Sequence, residues 1–254
     1  MLIDTHCHLD AAEFAADRDQ VAARARAAGV EAMVVPAVER GNFAEVLDCC
    51  AHYPGCHAAL GIHPMYVGRS HPEDLALLRA TIAQHHLVAI GEIGLDFFVP
   101  DFDAQEQGFY FSEQLKIARD FDLPVLLHIR RAQDQVLKQL RRIRVKGGIA
   151  HAFNGSRQQA DAFIKLGFKL GFGGAMTYPR ATHLRQLAAT LPLEAIVLET
   201  DAPDMAPVFA AGERNSPEYL PRIAQILADL RAIRFTDVAR ATSANARAIL
   251  GNLA

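Results

Sequence analysis

Short apolar runs alternate with longer stretches rich in alanine and charge along the whole chain. The first run, Met1-Leu2-Ile3, opens an extended segment that leads to His6 and His8. Residues 17–28 have the composition of a helix ended by Gly29, and the β-branched run at 30–38 follows as a second strand. The two-part unit then recurs. Helix 41–52 precedes strand 56–62, helix 73–85 precedes strand 87–93, and helix 104–122 precedes strand 124–129. Helix 132–143 leads to strand 147–151, helix 156–166 to strand 168–173, and helix 181–190 to strand 195–200. A loop at 212–217 and helices at 217–231 and 236–250 complete the pattern.

Strict alternation of strand and helix implies a parallel sheet with right-handed crossovers, and eight such units are the number that closes a barrel. The strands are short and mostly apolar on both faces, as buried parallel strands are. An open doubly wound sheet has the same rhythm, but no G-x-G-x-x-G or G-x-x-x-x-G-K-[ST] follows any strand, so the usual phosphate loops of that fold are missing. The expected fold is α/β, one (β/α)8 TIM barrel over residues 1–254.

Composition narrows the setting. At 254 residues and 51% hydrophobic side chains, the chain matches one barrel domain, typically about 250 residues, and needs no disulfide or structural zinc to fold. Cys7, Cys49, Cys50 and Cys56 form no C-x-x-C pair and read as reduced, mostly buried thiols of a cytoplasmic protein. Neither a secretory leader nor a membrane span is expected, and with no exposed apolar stripe the expectation is a monomer without an obligate protein partner. A net charge of −3 excludes a wholesale electrostatic grip on duplex nucleic acid but not a local phosphate site. The densest basic run, residues 141–146, reads as a solvated helix end.

Chemistry concentrates at the predicted C-terminal strand ends, where barrels of this kind build their active sites. In an extended segment residues two apart share a face, so His6-Cys7-His8 presents two imidazoles to one side. Strand three runs into Gly61-Ile62-His63-Pro64, and strand four ends in Gly91-Glu92-Ile93-Gly94-Leu95-Asp96. Strand five ends in His128 with Arg130 beyond it, strand six in His151, and strand eight in Glu199-Thr200-Asp201. Each residue alone has an ordinary explanation, such as a buried histidine bonded to a carbonyl or a carboxylate in a turn. Together, His6, His8, His128, His151, Glu92 and Asp201 require six coincidences at one mouth. They can fill two metal sites if one carboxylate bridges, and Glu92, from a middle strand, is placed to do so.

Two divalent cations about 3.5–4 Å apart are a standard device for hydrolysing a phosphodiester or a tight amide, and they lower the pKa of bound water from about 15.7 to about 7. A carboxylate beside that water can take its proton. Asp201 is the candidate base, because Glu92 has both oxygens committed to metal. Histidine-rich ligation suits zinc, manganese or nickel, while phosphate chemistry often uses magnesium.

The stretches Leu2-Ile3-Asp4-Thr5-His6-Cys7-His8-Leu9-Asp10, Gly91-Glu92-Ile93-Gly94-Leu95-Asp96, Pro124-Val125-Leu126-Leu127-His128-Ile129-Arg130 and Glu199-Thr200-Asp201-Ala202-Pro203 resemble the TatD family of metal-dependent hydrolases. The likeness covers nearly the whole chain, with the motifs in order. Gly212-Glu213-Arg214-Asn215-Ser216-Pro217 is similar to the family's Arg-Asn-x-Pro segment, and Asp201-Ala202-Pro203-Asp204-Met205 resembles a less characterised hydrolase branch. The resemblance implies that His6, His8 and Asp201 hold one metal, His128 and His151 the other, and that Glu92 bridges them. It also implies a barrel of the amidohydrolase superfamily with DNase activity, commonly 3′-to-5′ exonuclease action on single strands, so that DNA 3′ ends or another phosphodiester are the expected partner.

Arg130 and His63 lie one step beyond this ring and are the expected phosphate contacts; a helix-start salt bridge and a turn histidine are the ordinary alternatives. Asp4 reads either as support for a ligand histidine or as a buried acid bonded in the barrel floor. Phe97, Phe98, Phe102 and Phe153 could stack on bases or anchor loops. Two rival functions remain: a two-metal hydrolase of a small-molecule amide, lactone or phosphoester, and a non-catalytic nucleic-acid-binding protein with a retained metal site. A glutamate where many amidohydrolases bridge with a carboxylated lysine speaks against the first, and the intact ligand set speaks against the second.

Overall fold

Each apolar run pairs with the next one along the chain. The computed structural model, which describes residues 1–251 and 253, contains β1 (Leu2–Asp4), β2 (Val30–Pro36), β3 (Cys56–Leu60), β4 (Ala89–Asp96), β5 (Val125–Arg130), β6 (Gly148–Ala150), β7 (Phe168–Phe172) and β8 (Ile196–Leu198). They form one parallel sheet in sequence order. The seam between β8 and β1 is tied just beyond the strands, where Thr5 N–H and its hydroxyl both donate to Leu198 O at 3.1 Å and Asp201 N–H donates to His6 O at 2.8 Å. This is the (β/α)8 TIM barrel.

Helices alternate with the strands: α1 (Arg18–Ala27), α2 (Phe43–His52), α3 (Pro72–Gln84), α4 (Ala104–Asp120), α5 (Gln133–Arg142), α6 (Arg157–Lys165), α7 (Thr182–Thr190) and α8 (Leu220–Arg231). Local chemistry fixes their starts. Asp103 accepts from Gln105 and Glu106 N–H at the head of α4, and Ser156 and Gln159 form a reciprocal cap on α6. The basic run after α5 is a solvated helix end, where Lys146 pairs with Asp122 at 3.0 Å. All four cysteines are free. Among the described residues no helix is long and apolar enough to cross a membrane.

The strands alternate between two apolar environments. Leu2, Met33, Val35, Leu60, Ile90, Val125, Leu127 and Leu198 face the ring of helices, whereas Ile3, Ala32, Val34, Ala59, Ala89, Leu126, Ile149 and Val197 face the barrel axis. The axial layer is closed from below by a ninth helix, α9 (Phe235–Leu250), through Ala246 and Leu250. Asn245 fixes this helix across the N-terminal ends, donating to Leu193 O at 2.8 Å and Ile196 O at 2.7 Å, and Arg247 pairs with Glu31.

Several strands stop earlier than the sequence predicts. β1 ends at Asp4 instead of continuing to His8, and β8 ends at Leu198. Ladder pairing gives way at the mouth, because there the chain leaves the sheet to turn polar side chains toward the axis.

Candidate metal centre

Residues two beyond an axial apolar residue are aimed at the mouth. Leu126 is followed by His128, Ile149 by His151, and Val197 by Glu199 and then Asp201. Glycines let the strands approach closely enough for these groups to meet. A Cβ on Gly171 would lie 2.1 Å from the Glu199 carboxylate, and one on Gly94 would strike His128 O. Left-handed backbone at Arg131 (φ 55°) and Ala152 (φ 44°) swings the chain away after His128 and His151, and Asp201 (φ 59°) is itself left-handed beyond the end of β8.

Glu92 lies at the centre, buried at 3% exposure. Its Oε2 is 3.1 Å from His6 Nε2 and 3.7 Å from His8 Nε2, while its Oε1 is 3.0 Å from His128 Nδ1 and 3.6 Å from His63 Nε2. Asp201 Oδ1 gathers a second set, at 3.8 Å from His6 Nε2, 3.7 Å from His8 Nε2 and 3.5 Å from His151 Nε2. The His6 and His151 rings stack at 3.7 Å. Three groups of ligating atoms result: His6, His8 and Asp201; His6, Glu92 and His151; and His63, Glu92 and His128. None of the three contains both His128 and His151. His63 lies inside the cluster, in direct contact with Glu92, and not one step beyond it. Arg130 lines the same cleft of about 570 Å³ with His8, His63, His128 and Asp201.

The electrostatics follow from this packing. Burial pushes Glu92 upward, but His6, His63 and His128 outweigh it and hold the carboxyl well below the usual range. Asp201 is likewise held low against burial by His151, His6 and His8. Burial opposes a proton on His128, yet Asp96 and Glu92 raise it to about 9, and Glu199 and Asp201 raise His151 well above the ordinary imidazole value against the same burial. Burial alone dominates at His63, which falls to about 3. Converging imidazole nitrogens and carboxylate oxygens, with His6 Nε2 and His8 Nε2 only 3.3 Å apart, make a donor set suited to divalent cations.

Sequence reasoning passed over the groups that hold the ligands. Asp96 accepts from His128 Nε2 at 2.9 Å, the kind of carboxylate partner that orients an imidazole which could hold a metal. Glu199 lies 3.1 Å from His151 Nδ1 and accepts from Ala152 N–H at 2.6 Å. Asn215, fully buried, donates to Thr200 O at 2.7 Å and Asp204 O at 2.6 Å, bracing the loop that carries Asp201, while Arg214 pairs with Asp17. Asp4 touches no imidazole. It accepts from His6 N–H at 3.2 Å and from Thr200 N–H at 2.9 Å and hydroxyl at 2.5 Å, a clasp across the β8/β1 seam, and burial pushes it up to about 7. Of the phenylalanines, Phe153 is core against Phe163, Phe97 stacks on Phe102, and Phe98 is exposed beneath two arginines. Alternating apolar and acidic residues around the strand ends were the available signal for Asp96 and Glu199; Asn215 was marked only by the Arg-Asn-x-Pro likeness, which gave it no role.

Comparison with known proteins places the chain in a family. Residues 3–251 match the family model described as TatD related DNase. The chain is 42% identical to the uncharacterized metal-dependent hydrolase YjjV of Escherichia coli (strain K12), covering 94% of this chain and 93% of that protein. It is 35% identical to the 3′-5′ ssDNA/RNA exonuclease TatD of Klebsiella pneumoniae (strain 342), covering 98% of each. The crystal structure of YjjV, a TatD homolog from Escherichia coli K12, superposes with a TM-score of 0.94 at 41% identity, covering 99% of this chain and 98% of that one.

Proposed function

This chain belongs to the TatD-related DNase family and is a metal-dependent hydrolase acting on ester bonds, and from that premise we propose that it is a two-metal phosphodiesterase that shortens DNA from the 3′ end. One observation carries the two-metal reading: the oxygens of Glu92 face different imidazole sets, Oε2 toward His6 and His8 and Oε1 toward His128 and His63. That division is what a bridging carboxylate requires. His6, His8 and Asp201 would hold one ion, and His128, facing the other oxygen of Glu92, would hold the second, while His151 groups with His6 and Glu92.

When bound, the divalent pair supplies Lewis acidity and a water of lowered pKa. The protein's own groups do the remainder. Asp201 commits Oδ1 to the histidines, leaving Oδ2 to take the proton of the attacking water. His63 accepts Met65 N–H at Nδ1, so its neutral ring carries the proton on Nε2 and offers a donor to a phosphate oxygen. Arg130 neutralises phosphate charge at the edge of the cleft. Asp96 and Glu199 keep His128 and His151 in place while phosphate charge redistributes.

Purified protein supplied with Mg²⁺, Mn²⁺, Zn²⁺ or Ni²⁺ is expected to shorten single-stranded DNA from the 3′ end, and Asp201→Asn is expected to abolish this without unfolding the chain. Turnover of an amide or lactone with no DNA cleavage under any of these ions would overturn the nuclease reading.

A further inference from the structure

Phe98 exposes 45% of its surface beside the metal cleft, in the loop after β4. Its ring is not free: the guanidinium carbon of Arg130 lies 3.6 Å from the ring centroid and that of Arg131 lies 4.5 Å away. Consecutive residues of a strand point to opposite faces. Arg131, just past the end of β5, has a left-handed backbone at φ 55°, a conformation disfavoured for any residue with a Cβ, and its guanidinium reaches the same ring. Neither guanidinium forms an ion pair among the described residues.

Two acids of the adjoining segments have other partners. Asp134 accepts from Gln159, and Asp96 accepts from His128 and from Phe98 N–H at 2.9 Å. The start of α5, which no side chain caps, adds charge of the same sign. One carboxylate, Asp96, therefore fixes both a ligand histidine and the backbone of the ring that carries the arginines. Asp96 thereby fixes the position of Phe98 relative to His128.

We propose that Arg130 and Arg131, held on Phe98, bind the phosphodiester adjacent to the one cleaved, so that the substrate is a nucleic-acid strand and not an isolated phosphate ester. This rests on the nuclease reading above and deepens it. The arginine fork suits a phosphate's paired oxygens, and the guanidinium planes are surfaces on which a neighbouring base can stack. An isolated ester offers nothing to this subsite.

The test compares a 3′-labelled single-stranded oligonucleotide with bis(p-nitrophenyl) phosphate, under one metal, for the native enzyme and Arg131→Ala. The variant is expected to raise KM for the oligonucleotide about tenfold, the loss of one charge-assisted contact. It is also expected to lower the salt slope of oligonucleotide binding by about 0.7, the value of one phosphate contact on a single strand. Turnover of the small diester should stay at the native value. Phe98→Ala should raise KM for the oligonucleotide and Phe98→Trp should restore it, since the ring acts as a cation platform. An unchanged oligonucleotide KM, or equal losses on both substrates, overturns the proposal. Fluorescence anisotropy with labelled oligonucleotide separates it from the reading on which it rests. If the native protein binds DNA but does not cut it, the nuclease reading falls, and weakened binding by Arg131→Ala still supports the subsite. If the native protein neither binds nor cuts DNA, both fall.

Discussion

Leu126 and His128 lie two residues apart on the same face of β5, yet they belong to different chemistries. The contrast repeats between Ile149 on β6 and His151 just past its end, and between Val197 on β8 and Glu199 just past its end. Below, the axis of the barrel is filled with aliphatic side chains and closed by α9; above, it carries imidazoles and carboxylates. The difference teaches that the apolar layer is the rigid base of the polar one. Strands packed tightly at one end can fix side chains to within a few tenths of an ångström at the other, without spending polar groups on stability.

The contrast can be broken most sharply at its upper member. His128→Ala is expected to lower DNA cleavage by at least about 10³-fold, since metal-ion charge stabilisation is worth several kcal/mol, while leaving thermal stability of the metal-free protein nearly unchanged. Loss of the folded state in circular dichroism would show instead that the mouth helps hold the barrel. Leu126→Ala is the converse. It should cost about 2–5 kcal/mol through the cavity it leaves, a drop in Tm of roughly 5–15 °C for a chain of this size, with kcat well below the transition close to native. A large loss of activity with little change in Tm would reverse the assignment of the two layers.

Two smaller effects test the connections between the layers. Asp96→Ala should weaken metal affinity or activity about 10–100-fold by freeing the His128 ring, read by metal titration. Asp4→Ala removes the acceptor of the Thr200 and His6 N–H groups and should cost about 1–3 kcal/mol in denaturant unfolding. If Asp4→Ala instead altered metal affinity at native stability, Asp4 would be support for a ligand and not a clasp on the seam.

The barrel was legible because its signal is periodic: eight apolar runs with helices between them imply their own neighbours, and each expected run pairs as the rhythm requires. The strand ends were not, since β1 and β8 stop where side chains turn inward, and that turn depends on contacts across the seam. The histidines and acids of the mouth stood out as residue types at strand ends. Their grouping did not. Which imidazole lies against which oxygen depends on ring rotation and on Asp96 and Glu199, and a sequence does not display those. His63 illustrates the point: its position after strand three was read correctly, but only the geometry puts its Nε2 against Glu92. Asn215 was marked by the likeness of its segment, but its reach to Thr200 across a loop is a contact that only the structure displays.

The central claim is that Glu92 joins two cations at this mouth, and counting ions tests it most directly. Native mass spectrometry of the protein and of Glu92→Gln, each loaded with the ion that best supports DNA cleavage, is expected to show two ions per native chain, with at most one retained and cleavage lost in the variant. A single ion on the native chain, or two ions on Glu92→Gln with cleavage intact, would contradict the account.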